Sequence, residues 1–146
     1  MNVSMEFSRK LALAYSMACK PLCRQLKLPQ TAFDILMFLA NNPAYQTAAD
    51  IVEVRKIKAN LVSVNVEKLV RDGYLTRRAI ISDRRKTQLI CTEKAQPVIE
   101  KGRALQSAFL DRLFVNTDED MRHAFFETVG IMNRNLDSLL KGEFPL

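Results

Sequence analysis

Apolar residues recur along most of this chain at spacings of three and four, the period of helices that bury one face. Phe7, Leu11, Ala14, Tyr15, Ala18, Leu22 and Leu26 predict a first helix over Glu6 to Leu28, kinked or broken near Pro21. Pro29 is suited to opening a second helix through Phe33, Leu36, Met37 and Ala40, which Asn41-Asn42-Pro43 closes. Thr47 is a plausible N-cap for a short helix to about Val54, with Ala48, Ile51 and Val52 pointing inward.

Lys58 to Asp72 carries two patterns at once. Val62, Val64 and Val66 alternate as in a strand, while Val62, Val66, Leu69 and Val70 form a helical stripe. The length of about four turns, the closing Gly73 and the polar set Asn60, Ser63, Asn65, Glu67 and Lys68 on the other face favour the helix. Tyr74 to Ile81 and Lys86 to Cys91 then read as a β-hairpin with Ser82-Asp83-Arg84-Arg85 as its charged tip. Thr92 can cap a further helix, with Pro97 in its early part and Val98, Leu105, Phe109, Leu110 and Leu113 carrying it to about Phe114. Thr117 and Asp120 resemble a capping box before a last helix marked by Met121, Phe125, Val129, Met132, Leu136, Leu139 and Leu140. The expected fold is mainly α with one small hairpin, in a chain of 146 residues sized for a single domain.

Charge sharpens this picture. Ile51 to Ala95 carries 11 Lys and Arg against 5 Asp and Glu, whereas the rest of the chain balances at 11 and 11. The whole net charge of +6 thus falls on the middle third, as expected of a module whose face approaches a polyanion. The apolar runs Leu11 to Cys19 and Ile35 to Ala40 are far short of the ~20 residues that cross a membrane. Glu6, Arg9 and Lys10 interrupt the N-terminal pattern where a signal peptide needs an apolar stretch, which points to a cytoplasmic protein.

The helices at Thr47 to Val54 and Lys58 to Asp72, joined by a tight turn, have the lengths of a helix-turn-helix pair. The second would enter a major groove of duplex DNA with Lys58, Asn60, Ser63, Val64 and Asn65 on its exposed face. Amides and hydroxyls suit base edges, while Lys56, Lys58 and Lys68 suit phosphates. The hairpin tip Asp83-Arg84-Arg85-Lys86, supported by Arg77, has the chemistry for an adjacent minor groove or backbone, with Asp83 placed to orient Arg85 by a charge-assisted hydrogen bond. Catalysis finds little support: the chain has no Gly-rich phosphate loop, no paired Cys motif and no Ser-His-Asp set.

Lys68-Leu69-Val70-Arg71-Asp72-Gly73-Tyr74-Leu75-Thr76-Arg77, followed by Asp83-Arg84-Arg85 and then Thr92, resembles the winged-helix core of the MarR family of bacterial transcriptional regulators. Leu28-Pro29-Gln30-Thr31-Ala32-Phe33-Asp34-Ile35-Leu36 is similar to that family's second helix. The resemblance implies a winged helix-turn-helix lobe over residues 29–95, with dimerisation helices at 1–28 and 96–146. It also implies a homodimer on palindromic operator DNA, a repressor in most members, released by a small aromatic or lipophilic ligand, an oxidant or a metal. The alternative is a winged helix for protein interaction or nonspecific DNA binding, without effector response. Three departures stand out: Lys58 where a capping Ser or Thr is common, Cys91 in place of Leu, and Ala95-Gln96-Pro97 in place of the glycine after Thr92.

Three cysteines, Cys19, Cys23 and Cys91, give no disulfide framework. Cys19 and Cys23 lie one helical turn apart with Lys20 and Arg24 beside them, so either is a candidate redox switch; the competing reading is apolar packing in the first helix. Cys91 reads as core. His123, flanked at four residues by Glu119 and Glu127, is the sole histidine and reads as a solvated or interface residue rather than one corner of a metal site completed by another chain, so neither a metal nor a cofactor is expected. Tyr15, Phe33, Phe38, Phe109, Phe114, Phe125, Phe126 and several methionines supply material for an apolar effector cleft, or simply for the core.

Overall fold

The computed structural model describes residues 2–143, with side chains from Ser4 onward. The order is α1 (Asn2–Leu26), α2 (Gln30–Asn41), α3 (Ala48–Asp50, continuing as a π-helical turn over Ile51–Arg55), α4 (Ala59–Arg71), β1 (Leu75–Ile80), β2 (Asp83–Cys91), a 3-10 turn (Glu93–Ala95), α5 (Gln96–Leu113) and α6 (Glu119–Leu140). The mainly helical class and the single hairpin are those expected. The chain divides into two compact units at Phe109/Leu110, described separately below.

In the first unit α2 is the central post. Seven of its twelve residues are buried, from Ala32 to Leu39, because other elements cover it on nearly every side. Cys19 and Cys23 of α1, Ile51, Val62 and Leu69 of α4, Leu75 and Leu89 of the hairpin, and Val98 and Ile99 of α5 complete one core. The first helix therefore shares its core with residues 29–95. Gly102 of α5 lets that helix approach α2 closely: a Cβ there would lie 2.3 Å from Met37 Sδ and 3.1 Å from Phe33 Cε2.

The predicted break at Pro21 does not occur; α1 runs unbroken to Leu26. Pro21 lies on the exposed side of the helix, where water can replace the missing N–H donor. Three helix ends use the same hydrogen-bond pattern, that of α6 through Glu143 N–H to Ser138 and Gly142 N–H to Leu139. After α4, Tyr74 N–H donates to the Leu69 carbonyl and Gly73 N–H to Val70, with Gly73 at φ +83°. After α1, Leu28 N–H donates to Cys23 and Lys27 N–H to Arg24, but the left-handed position at φ +56° holds Lys27.

Thr47 caps α3 as expected: its Oγ1 accepts from Asp50 N–H (3.1 Å) and Asp50 Oδ2 accepts from Thr47 N–H (3.0 Å). Asp50 sits below the usual carboxylate range: partial burial pushes it up, but hydrogen bonds from the Thr47 amide and hydroxyl and the Gln46 amide, with the nearby Lys86 charge, outweigh that. Ile51 is buried, yet Ala48 is exposed, contrary to its predicted inward place. Thr92 does not cap α5. Its hydroxyl donates to the Gly73 carbonyl (2.6 Å) and its N–H to Tyr74, locking the end of the hairpin to the end of α4, and a 3-10 turn intervenes before α5.

The strands pair antiparallel from Leu75↔Cys91 to Ala79↔Thr87, where the register shifts and Ile80 pairs with Asp83. The tip is thus Ile81-Ser82, and Asp83 to Arg85, predicted as turn residues, begin β2. The hairpin is tied to the start of α3 by Leu89 N–H to the Gln46 carbonyl (2.8 Å) and by a side-chain hydrogen bond from Gln88 to Gln46.

In the second unit the predicted Thr117 cap is replaced by Asp118, whose carboxylate accepts from Met121 N–H (2.8 Å). Thr117 Oγ1 instead donates to the Phe114 carbonyl (2.6 Å). Phe114, Phe125 and Phe126 form an aromatic cluster with centroids 5.3 to 5.5 Å apart, and Arg122 lies 5.3 Å from the Phe114 ring. α6 buries none of its side chains.

Candidate nucleic-acid interface

Helix α4 presents Asn60, Ser63 and Val64 outward, with Val64 68% exposed. Lys58 precedes the first turn as an N-cap without a side-chain cap, which leaves its ammonium free to reach away from the helix. Asn65 departs from the prediction. It is only 8% exposed, and its Nδ2 donates to the Leu61 carbonyl (2.8 Å), because it lies on the buried side next to Val62, Val66 and Leu69. Lys68 is half-buried and lies farther along the same helix, facing the end of α1.

The hairpin stands beside α4 across a cleft of about 400 Å³ lined by Thr47, Ala48, Ser63, Arg77, Arg85 and Lys86, among others. Arg77 Nη2 meets Glu67 Oε2 at 2.8 Å, so this arginine braces β1 against α4. Asp83 also differs from expectation: its Oδ1 accepts from the Arg85 backbone N–H (3.0 Å), and it does not pair with the guanidinium. It shapes the start of β2 and leaves the Arg85 side chain unneutralised. Arg84, Arg85 and Lys86 are exposed, and among the described residues none lies within ion-pair distance of a carboxylate. The fully exposed Ile81, the last position of the first strand by its sequence pattern, lies at the tip of the hairpin.

Two of the aromatics named for an effector cleft or the core, Tyr15 and Phe38, border one cavity. This cavity of about 220 Å³ is lined by Tyr15, Asp34, Met37, Phe38, Asn41, Asn42, Arg55 and Gln106, and is largely polar. Gln106 Nε2 donates to Tyr15 Oη (2.9 Å) and Asn41 Nδ2 to Gln106 Oε1 (3.0 Å). Arg55 and Asp34 pair at 3.6 Å; burial raises the Asp34 carboxyl and Arg55 opposes it. Burial also pushes the Tyr15 phenol up to about 12. Of the other predicted aromatics, Phe33 is fully buried in the core, Phe109 packs edge-on against Tyr15, and the remaining three form the cluster around Phe114.

Neither N-terminal cysteine has a thiolate's surroundings. Cys19 and Cys23 are 0% and 6% exposed, and burial raises both thiols, Cys23 to about 11. Lys20 and Arg24 point to solvent and do not offset this. Both side chains are core packing. Cys91 is half-buried, with its thiol also raised by burial. His123 is exposed and lies 3.8 Å from Glu127, and no group of three or more metal-ligating side chains occurs among the described residues. No described helix is long and apolar enough to cross a membrane.

This arrangement, a helix-turn-helix followed by a basic hairpin strapped to it, defines a winged helix. A MarR family model matches residues 26–86, the segment from the end of α1 to the first residues of β2. The fold of the whole chain is that of MarR transcriptional regulators: it is similar to one from Methanosarcina mazei at 19% identity, covering 95% of this chain and 99% of that one, with a TM-score of 0.80. It is also similar to Bordetella bronchiseptica BpsR, a protein whose DNA binding is regulated by 6-hydroxynicotinic acid (18% identity, coverage 91% and 99%, TM-score 0.68). A third likeness is to MepR of S. aureus, solved as a DNA complex (16% identity, coverage 88% and 96%, TM-score 0.58). No curated protein matches the sequence.

Proposed function

We propose that this protein is a cytoplasmic, homodimeric repressor that binds palindromic duplex DNA in a sequence-specific manner and lets go when a small ligand occupies the Tyr15–Asp34–Gln106 cavity. One observation carries the DNA reading. The acidic side chains nearest the wing are committed, Glu67 to Arg77, Asp50 to the Thr47 cap and Asp83 to the Arg85 amide, while Arg84, Arg85 and Lys86 beside the outward face of α4 have no such partner. A surface that leaves only its cations unspent suits phosphates. Asn60 and Ser63 supply the groups that read base edges, with Lys58 at the groove entrance.

The homodimer rests on uncovered apolar faces. Met5, Leu13 and Met17 of α1, and Phe126, Met132 and Leu136 of α6, are all more than half exposed. A second copy of the same helices covers such faces by symmetry. The polar cavity favours a small hydrogen-bonding aromatic over a lipophilic ligand, in keeping with the acid that regulates BpsR. Ligand release is preferred over oxidant release because Cys19 and Cys23 are buried and hold their protons.

The test is fluorescence anisotropy against a duplex selected by the protein from a random library, titrated at several salt concentrations. Arg85→Ala is expected to weaken binding by about 1–3 kcal/mol per protomer and to flatten the salt dependence, with the dimer intact. Unchanged affinity in the folded variant would remove the wing from the interface; equal weak binding to selected and scrambled duplexes would favour a nonspecific module.

A further inference from the structure

A second basic surface lies outside the winged-helix face, and we propose that it grips the DNA backbone flanking the operator. The inference rests on the DNA-binding reading above. Lys20, Arg24 and Lys27 follow one another at spacings of four and three along the end of α1, and with Lys68 of α4 they border an open cleft of about 620 Å³. No carboxylate lines this cleft, and among the described residues none of the four side chains has an ion-pair or hydrogen-bond partner. Four like charges gathered around one opening repel one another, so the arrangement works against folding unless an anion occupies it.

Two further observations point to phosphate. The first is Lys27 itself. It occupies the left-handed position that ends α1, where glycine is favoured and where the otherwise identical end of α4 has Gly73. A lysine is strained there, and what it adds is an ammonium aimed at the cleft. The second is the start of α2, which shares the cleft through Pro29 and Gln30: no side chain caps this twelve-residue helix, so its first amides and the positive end of its dipole add to the cationic field.

Continuity with α4 selects DNA as the occupant. Lys68 follows Asn60 by eight residues, about 12 Å along the axis, close to the width of the major groove. When Asn60 reaches base edges, Lys68 stands at the backbone wall, and Lys27, Arg24 and Lys20 extend the track beyond it. The cleft is open, and Lys20, Arg24 and Lys27 sit on long exposed stems beside the half-buried Lys68, a form suited to a run of phosphates and poorly suited to enclosing one small anion.

The test compares the parent, the triple variant Lys20→Gln/Arg24→Gln/Lys27→Gln, Lys27→Gly and Arg85→Ala. The probes are a minimal selected operator duplex and the same operator extended by about one helical turn, ~10 base pairs, on each side. The triple variant is expected to match the parent on the minimal duplex. On the extended one it should bind at least about tenfold more weakly, with a salt slope shallower by about 2–3 per protomer. Lys27→Gly should weaken binding to the extended duplex while its unfolding temperature does not fall, an opposition that a merely structural lysine would not produce. Parent-like affinity and slope of the triple variant on the extended duplex, with Arg85→Ala still impaired, would overturn the flanking contact and leave the wing reading standing. Tripolyphosphate that stabilises the parent but not the triple variant, with DNA affinity equal in both, would assign the cleft to a free anion instead. Failure of the parent to select any duplex would remove both readings together.

Discussion

With Cys19 and Cys91 replaced by alanine, Cys23 is the sole thiol, and its reactivity measures how far the fold withholds a thiolate. An ordinary thiol near 9.0 is raised at Cys23 to about 11 in the parent, first by burial and then by the neighbouring Cys19 and Asp34; burial, the largest cause, and Asp34 remain when Cys19 is alanine. At pH 7.5 that lowers the thiolate fraction by up to ~100-fold, and restricted access of the reagent to a thiol only 6% exposed slows the native reaction further. The assay is labelling by an aromatic disulfide reagent, followed spectroscopically in buffer and in concentrated guanidinium. The native second-order rate is expected to fall ~100-fold or more below the denatured one. Between pH 7 and 10 the native rate should rise about tenfold per pH unit, flattening only near 11. A native rate equal to the denatured one, or a plateau near pH 9, would refute the reasoning and return Cys23 to the list of oxidant sensors.

Gly102→Ala should lower stability by about 1–3 kcal/mol in thermal unfolding, because the new methyl meets the Met37 sulfur and the fixed Phe33 ring; a higher unfolding temperature would show that Met37 swings aside freely. Stability should also fall in alkali. The Cys23 thiol and the Tyr15 phenol hold their protons more tightly in the fold than their ordinary values of 9.0 and 10.0, so their contribution is complete below about pH 9 and is lost as pH rises through about 11 and then about 12. Denaturant midpoints measured from pH 8 to 11 check this, and a flat profile would count against burial at both sites. Asp118→Ala should cost about 1 kcal/mol by removing the cap on Met121 N–H, whereas Thr117→Ala should cost less; the reverse order would restore the sequence-based assignment.

Periodicity located most of the helices and the hairpin, with length and Gly73 deciding α4, because burial of one face leaves its period in the chain. Gly73 marked the end of α4 for a local reason: the left-handed residue that a helix end needs is cheapest as glycine. The same rule missed the end of α1, where Lys27 occupies that position, and Pro21 misled because an exposed proline can be carried by a helix that a core holds together on its other side. Asn65 was misplaced because the pattern gives a side chain's angle around α4 but not which neighbours close over that angle.

What the sequence determined about this protein was local: the run of elements, the N-cap at Thr47, the concentration of charge between Ile51 and Ala95, and the motif residues of a winged helix. What only tertiary structure decided was pairing. Glu67 was free to meet any of several cations until β1 brought Arg77 to 2.8 Å, and that contact left Arg84, Arg85 and Lys86 unneutralised. Lys20, Arg24 and Lys27 belong to a charge-balanced part of the sequence, yet the packing of α1 and α4 on α2 sets them around one cleft with Lys68. Electrostatic partnership depends on distance in space, which composition does not contain and the packed core fixes.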